Sequence, residues 1–143
     1  MRRKNILLLI FFTIILALVL IYQYKVTKKE SFEGVAIGEE YQINYSLNKE
    51  KNANWTIDVD FSSLNNEEFV IEDTVIIFAK PVSDEIHSVG DELVNHRLEG
   101  NVLNNTKLFS ESKMKKVLEE SYVKIQGVST NGEKNSDKIK FGI

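Results

Sequence analysis

An apolar N-terminal helix followed by a small, mostly β domain is the fold class that the 143 residues predict, on three observations. Residues 6–22 form an unbroken apolar run, four later segments alternate apolar and polar residues with a period of two, and no strand–helix–strand alternation intervenes. The composition divides at the same place. Residues 1–30 hold 19 hydrophobic residues and six Lys or Arg against one Glu, whereas the remaining 113 carry 12 basic and 20 acidic groups, a net charge of −8. The second part is about 37% hydrophobic, too apolar for a disordered acidic tail and suited to one small globular domain. A large multidomain enzyme is excluded by length.

The N-terminal run reads ILLLIFFTIILALVLIY, with Thr13 as its only polar residue. At ~1.5 Å per residue its 17 residues span roughly 26 Å as a helix, just enough to cross a bilayer. Tyr22 and Tyr24 fall where an interfacial aromatic belt would sit, and Lys25, Lys28 and Lys29 follow. Arg2, Arg3 and Lys4 before the run also suit a signal peptide, but the exit LVLIYQYKVTKKE has no small-residue cleavage pattern. The reading is an uncleaved signal anchor over residues 1–30, with cleavage and secretion as the alternative. The basic N-terminus is costly to translocate, so residues 31–143 are placed on the extracytoplasmic face.

Residues 31–39 contain Gly34 and Gly38 and no sustained period, so they read as a linker that contributes an edge strand, with the domain proper over residues 40–143. In EYQINYSLN, Tyr41, Ile43, Tyr45 and Leu47 alternate with polar residues; in WTIDVDF, Trp55, Ile57, Val59 and Phe61 do the same. A charged loop, residues 48–54, joins them into a hairpin. Phe69, Val70 and Ile71 lead into VIIFA, residues 75–79, which is apolar on both faces and predicts a strand covered on both sides, stopped by Pro81. Residues 82–109 read as short strands and loops. Ser110 and Ser112 are candidate N-caps for a helix through Glu120 in which Met114, Val117 and Leu118 share a face and Glu111 pairs with Lys115. Finally YVKIQGV and DKIKFGI alternate again around Asn131-Gly132, a hairpin signal. The total is five to seven strands and one short helix, an antiparallel sandwich of the immunoglobulin-like kind. Its expected core holds Tyr41, Ile43, Tyr45, Trp55, Ile57, Val59, Ile77, Phe78, Val123, Ile125 and Phe141.

This layout resembles small, single-pass envelope proteins of Gram-positive bacteria, whose outer part reads Y-x-I-x-Y, a loop ending N-W-x-I/V, a central strand and a final hairpin. The matching residues are Tyr41, Ile43 and Tyr45, then Asn54, Trp55 and Ile57, then Val123, Ile125, Ile139 and Phe141. The resemblance covers most of residues 38–143 and implies a fold and an address at the cell envelope, with no catalytic residues. The 15 lysines against three arginines, with abundant Asn and Ile, fit an A/T-rich bacterial genome.

The chemistry available is limited. An acidic domain repels phosphate backbones, which excludes nucleic acid as a partner. With no cysteine there are no disulfides, thiolate metal sites, cysteine nucleophiles or cysteine-linked lipids. His87 and His96, with Asp84, Asp91 or Glu92, form the one candidate metal set and the basis for an alternative reading as a metal-binding or metal-assisted hydrolytic module, although their spacing matches no ligand motif. Ser83 and Ser88 lie nearby without an activating motif, and the S-E-S-K of residues 110–113 is explained by helix capping. Asp58 and Asp60 with Glu67, Glu68, Glu72 and Asp73 could offer oxygens to a hard cation, but no glycine-centred calcium loop is present, and a solvated strand face explains them. Three Asn-x-Ser/Thr sequons, at Asn44, Asn54 and Asn104, compare with about 1.5 expected by chance. Trp55 lies on the apolar side of its strand, as a core anchor rather than a stacking platform. No catalytic, cofactor or metal residue is assigned. The sequence points to a membrane-tethered, non-catalytic domain with the lipid bilayer as one partner through residues 6–22 and a protein or wall component as another.

Overall fold

The computed structural model describes residues 3–27, 29–65, 68–82, 85–89 and 96–142, with the side chains of 3–8, 25–27 and 89 outside that description. The described residues form two α-helices and eight β-strands: α1 (Arg3–Thr27), β1 (Glu30–Ile37), β2 (Tyr41–Lys49), β3 (Thr56–Ser63), β4 (Phe69–Ile77), β5 (Glu85–Val89), β6 (Arg97–Val102), α2 (Glu111–Glu119), β7 (Tyr122–Ser129) and β8 (Lys134–Lys140). Two four-stranded sheets, ordered β1-β2-β3-β6 and β5-β4-β7-β8, pair antiparallel throughout and share one core. The chain changes sheet between β3 and β4, between β5 and β6, and again through α2.

The period-two segments behave as their patterns require. Tyr41, Ile43, Tyr45 and Leu47 of β2 turn inward beside Ile57, Val59 and Phe61 of β3, in a register that sets Ile43 opposite Phe61 and Leu47 opposite Ile57. The β7–β8 hairpin closes through Asn131 and Gly132, where Gly132 adopts φ +85° and its N–H donates to the Ser129 carbonyl at 2.9 Å. Residues 31–39, expected as a linker contributing an edge strand, form most of β1, which stands at the edge of its sheet and pairs with β2 from Glu30↔Lys49 to Ile37↔Gln42. Gly34 is the reason this strand is hard to read from sequence. It stands opposite Tyr45, whose ring fills the space a side chain would need.

Strand β4 departs from expectation. It lies in the middle of its sheet, but only one of its faces is covered. Val75 and Ile77 are half-buried on the outer side, while Ile71, Thr74, Ile76 and Phe78 are buried. Ile76 therefore replaces Ile77 in the expected core. Between Ile71↔Gly127 and Asp73↔Gln126 the register shifts, making Glu72 an extra residue, and an extra residue in a period-two strand sends every later side chain to the opposite face. The other ten expected core residues are buried.

Helix α2 closes the end of the sandwich next to β1's first residue. The Ser110 hydroxyl accepts from the Lys113 N–H at 3.3 Å, Lys115 pairs with Glu111 at 2.7 Å, and Met114, Val117 and Leu118 face the core. The segment before it is held around Trp55, which is fully buried. The Trp55 backbone N–H donates to Thr106 Oγ1 at 2.9 Å, its indole N–H donates to the Phe109 carbonyl at 3.1 Å, and Thr106 Oγ1 donates to the Leu103 carbonyl at 2.6 Å.

Helix α1 is different in kind. Its described side chains, residues 9–24, are exposed all round, and Thr13 donates to the Leu9 and Ile10 carbonyls of its own helix. Among the described residues no helix is long and apolar enough to cross a membrane.

Candidate functional site

Because β2 and β3 turn their large apolar residues inward, their alternate residues form a polar outer face. Cross-strand ranks on this face run Glu33–Ser46–Asp58 and Val35–Asn44–Asp60–Arg97. All of these but Arg97 line an open groove of about 500 Å³. Asp60 receives Arg97 at 3.0 Å, and the same guanidinium nitrogen reaches Glu99 at 3.0 Å. Asp58 accepts from the Gly100 N–H at 2.6 Å and from the Ser46 hydroxyl at 3.4 Å. Gly100, at φ +66°, sits where β6 slips register against β3, so Asp58 satisfies a backbone donor that the irregular ladder leaves over. The groove thus offers amides, hydroxyls and partly neutralised carboxylates, beside the exposed apolar side chains Val35 and Ile37 of β1.

The other acidic candidates lie elsewhere. Glu68, Glu72 and Asp73 belong to the opposite sheet or its entry, and Glu72 pairs with Lys134 at 3.6 Å. Glu67 lies outside the described residues, as do Ser83, Asp84, Asp91 and Glu92. His87 lies in β5, whereas His96 directly precedes β6 of the other sheet. His87, on the exposed side of β5, meets Glu85 at 2.9 Å, while the His96 ring stacks on Phe69 with centroids 4.3 Å apart. Among the described residues no three His, Asp or Glu side chains are grouped to hold a metal. Ser88 is half-buried in β5, and the Ser110 and Lys113 pair is a cap whose lysine lies 3.8 Å over the Phe109 ring.

Of the sequons, Asn44 accepts from the Gln42 amide on the outer face of β2, whereas Thr106, the last residue of the Asn104 sequon, is fully buried in the Trp55 network. The two core tyrosines serve packing. Burial raises the pKa of the Tyr45 hydroxyl above its ordinary value, and burial together with the charges of Glu40 and Asp137 raises that of Tyr41, so both are neutral donors over the physiological range. Tyr45 donates to the Gly142 carbonyl, tying the C-terminus to β2. The sequence reading missed the Asp137 latch, in which one carboxylate oxygen accepts from the Glu40 and Tyr41 N–H groups at 3.0 and 3.3 Å. Gly38 beside it was the available signal, since a side chain there would collide with that carboxylate.

Fold and surface together define a two-sheet antiparallel β-sandwich with a polar groove on one outer face and an apolar helix at its N-terminus. No family model matches the chain, and neither the curated proteins nor the solved structures contain a match to it.

Proposed function

We propose that the chain is a membrane-anchored, extracytoplasmic, non-catalytic protein of the cell envelope, whose immunoglobulin-like sandwich binds a protein or wall component or assists a membrane complex. One observation carries the reading. Helix α1 is apolar around its whole circumference with its described side chains exposed, and a helix of that kind needs a hydrophobic surrounding on every side. The apolar run of residues 6–22 and the tyrosines and lysines after it supply the length and the interfacial residues for a span. The immunoglobulin-like comparison is supported by strand order: with β1 set aside as an added edge, three strands β2-β3-β6 face four strands β5-β4-β7-β8, and the chain crosses between them as in Greek-key sandwiches.

The test is fractionation of cells expressing the full chain. The chain is expected in the membrane pellet after alkaline carbonate and high-salt washing, with its N-terminal residues intact. Protein in the medium with a new N-terminus between residues 20 and 32 would sink the anchor. Because the chain has no cysteine, Asn131→Cys provides a single site for an impermeant maleimide; labelling in intact cells is expected, and labelling only after lysis reverses the orientation.

A further inference from the structure

The sandwich is electrically polar along its strands. Hairpin topology places the loop of residues 50–55, the segment of residues 103–110 and α2 at the end where β1 begins, and the turns of residues 38–40 and 130–133 with the entry to β4 at the other. The first end presents the exposed Lys51, Lys107, Lys113 and Lys116, while Lys49 beside them is half-buried and donates to the Phe109 carbonyl at 2.7 Å. Of its acidic groups, Glu50 meets Lys29 at 3.4 Å and Glu111 pairs with Lys115, while Glu119 and Glu120 stand exposed at the C-terminal end of α2. Met114, Val117 and Leu118 anchor α2 from within, which turns Lys113 and Lys116 outward. Leu108 protrudes at 92% exposure, directly after Lys107. The opposite end carries Glu39, Glu40, Glu68, Glu133 and Asp137, with Lys134 as the lysine among them. Within a domain of net charge −8, this end thus carries more lysines than carboxylates.

That end is also the tethered one. Only Lys28 and Lys29 separate Thr27 from Glu30, so the start of β1 stands within roughly 11 Å of the end of α1 whatever angle the two adopt. This is close to the Debye length of ~8–10 Å at physiological salt.

We propose that the lysine-rich end, with Leu108 at its tip, docks on the anionic phosphates of the lipid surface in which α1 is anchored, holding the sandwich upright with its acidic end outward. The proposal rests on the anchored reading. Three observations converge on lipid: the complementary charge, the two-residue tether and a projecting leucine directly after Lys107, which suits the boundary between headgroups and acyl chains. The docking fixes the height and direction of the groove on the outer face of β1, β2 and β3, which then stands along the membrane normal.

The test uses the full chain in nanodiscs of phosphatidylcholine alone or of equal parts phosphatidylcholine and phosphatidylglycerol. A single fluorophore is placed by Leu108→Cys or, at the far end, by Asn131→Cys, with a headgroup-labelled lipid as quencher. The expected result is quenching at position 108 in the anionic discs, little at 131, and release of the 108 label by high salt. Combining Lys51→Gln, Lys107→Gln, Lys113→Gln and Lys116→Gln should lower the docked fraction by about tenfold or more, since each lysine near an anionic surface contributes a several-fold preference. Quenching at 108 that is equal in both disc types, or unmoved by salt, overturns docking. Release by soluble glycerol phosphate at matched phosphate concentration overturns lipid as the occupant. The salt and lipid arms use an unmutated lysine set, so the result does not depend on the quadruple variant folding. Flotation of the chain with phosphatidylcholine vesicles through high salt reports the anchor separately: flotation without lipid-dependent quenching sinks docking alone, whereas loss of flotation sinks both.

Discussion

The two ends of the sandwich are closed by different physics. At the tethered end, α2 and the segment of residues 103–110 form a plug. Trp55, Leu103, Thr106, Met114 and Leu118 are fully buried, and the polar atoms of Trp55 and Thr106 are paired. At the far end the chain turns in solvent, and one partly exposed carboxylate, Asp137, holds the β1–β2 turn through two backbone N–H groups, with Thr130 reaching the Glu68 carbonyl at 3.3 Å. Burial stabilises the first end, and hydrogen bonds in competition with water hold the second. The far end is therefore the part of the domain that opens first, and amide exchange should rank Glu40 and Tyr41 well below Trp55 and Leu103.

The sharpest way to break the contrast is Trp55→Ala. Removing a fully buried indole from the plug should cost about 3–5 kcal/mol, read as a large fall in melting temperature of the full chain in detergent. An unchanged transition would mean that the plug contributes little. A second comparison applies one substitution to two fully buried threonines. Thr106→Val leaves the Trp55 N–H without its acceptor inside the plug and should cost about 1–3 kcal/mol. Thr74→Val removes a hydroxyl that has no partner among the described residues, in the middle of β4, and should leave stability unchanged or raise it by about 1 kcal/mol. Denaturant unfolding of both variants checks the opposite signs. The smallest effect belongs to the far end. Asp137→Asn weakens two charge-assisted hydrogen bonds and should cost about 1 kcal/mol or less, with faster exchange confined to Glu40, Tyr41 and their neighbours. A loss as large as that of Trp55→Ala would show that both ends are held alike.

The sequence by itself determined the elements whose signals are local. Alternation over residues 41–47 and 55–61 requires one buried face for each strand, Asn131-Gly132 turns the last hairpin, and Ser110 with the Met114, Val117 and Leu118 stripe defines α2, because each depends only on residues within a few positions of one another. Only the tertiary structure decided which residues meet across the chain. Period two fixes alternation but neither phase nor partner, so the bulge at Glu72 put Ile76 in the core in place of Ile77, and pairing with β2 extended the expected edge strand over nearly the whole of residues 30–37. The polar groove has the same origin, because Glu33, Asn44, Asp58 and Arg97 are neighbours solely through the β1-β2-β3-β6 order. The lysine-rich end is likewise a product of topology: Lys49, Lys51, Lys107, Lys113 and Lys116 come from three separate segments of an acidic domain, and a net charge read along the chain averages away a polarity that exists only once hairpins bring their ends together.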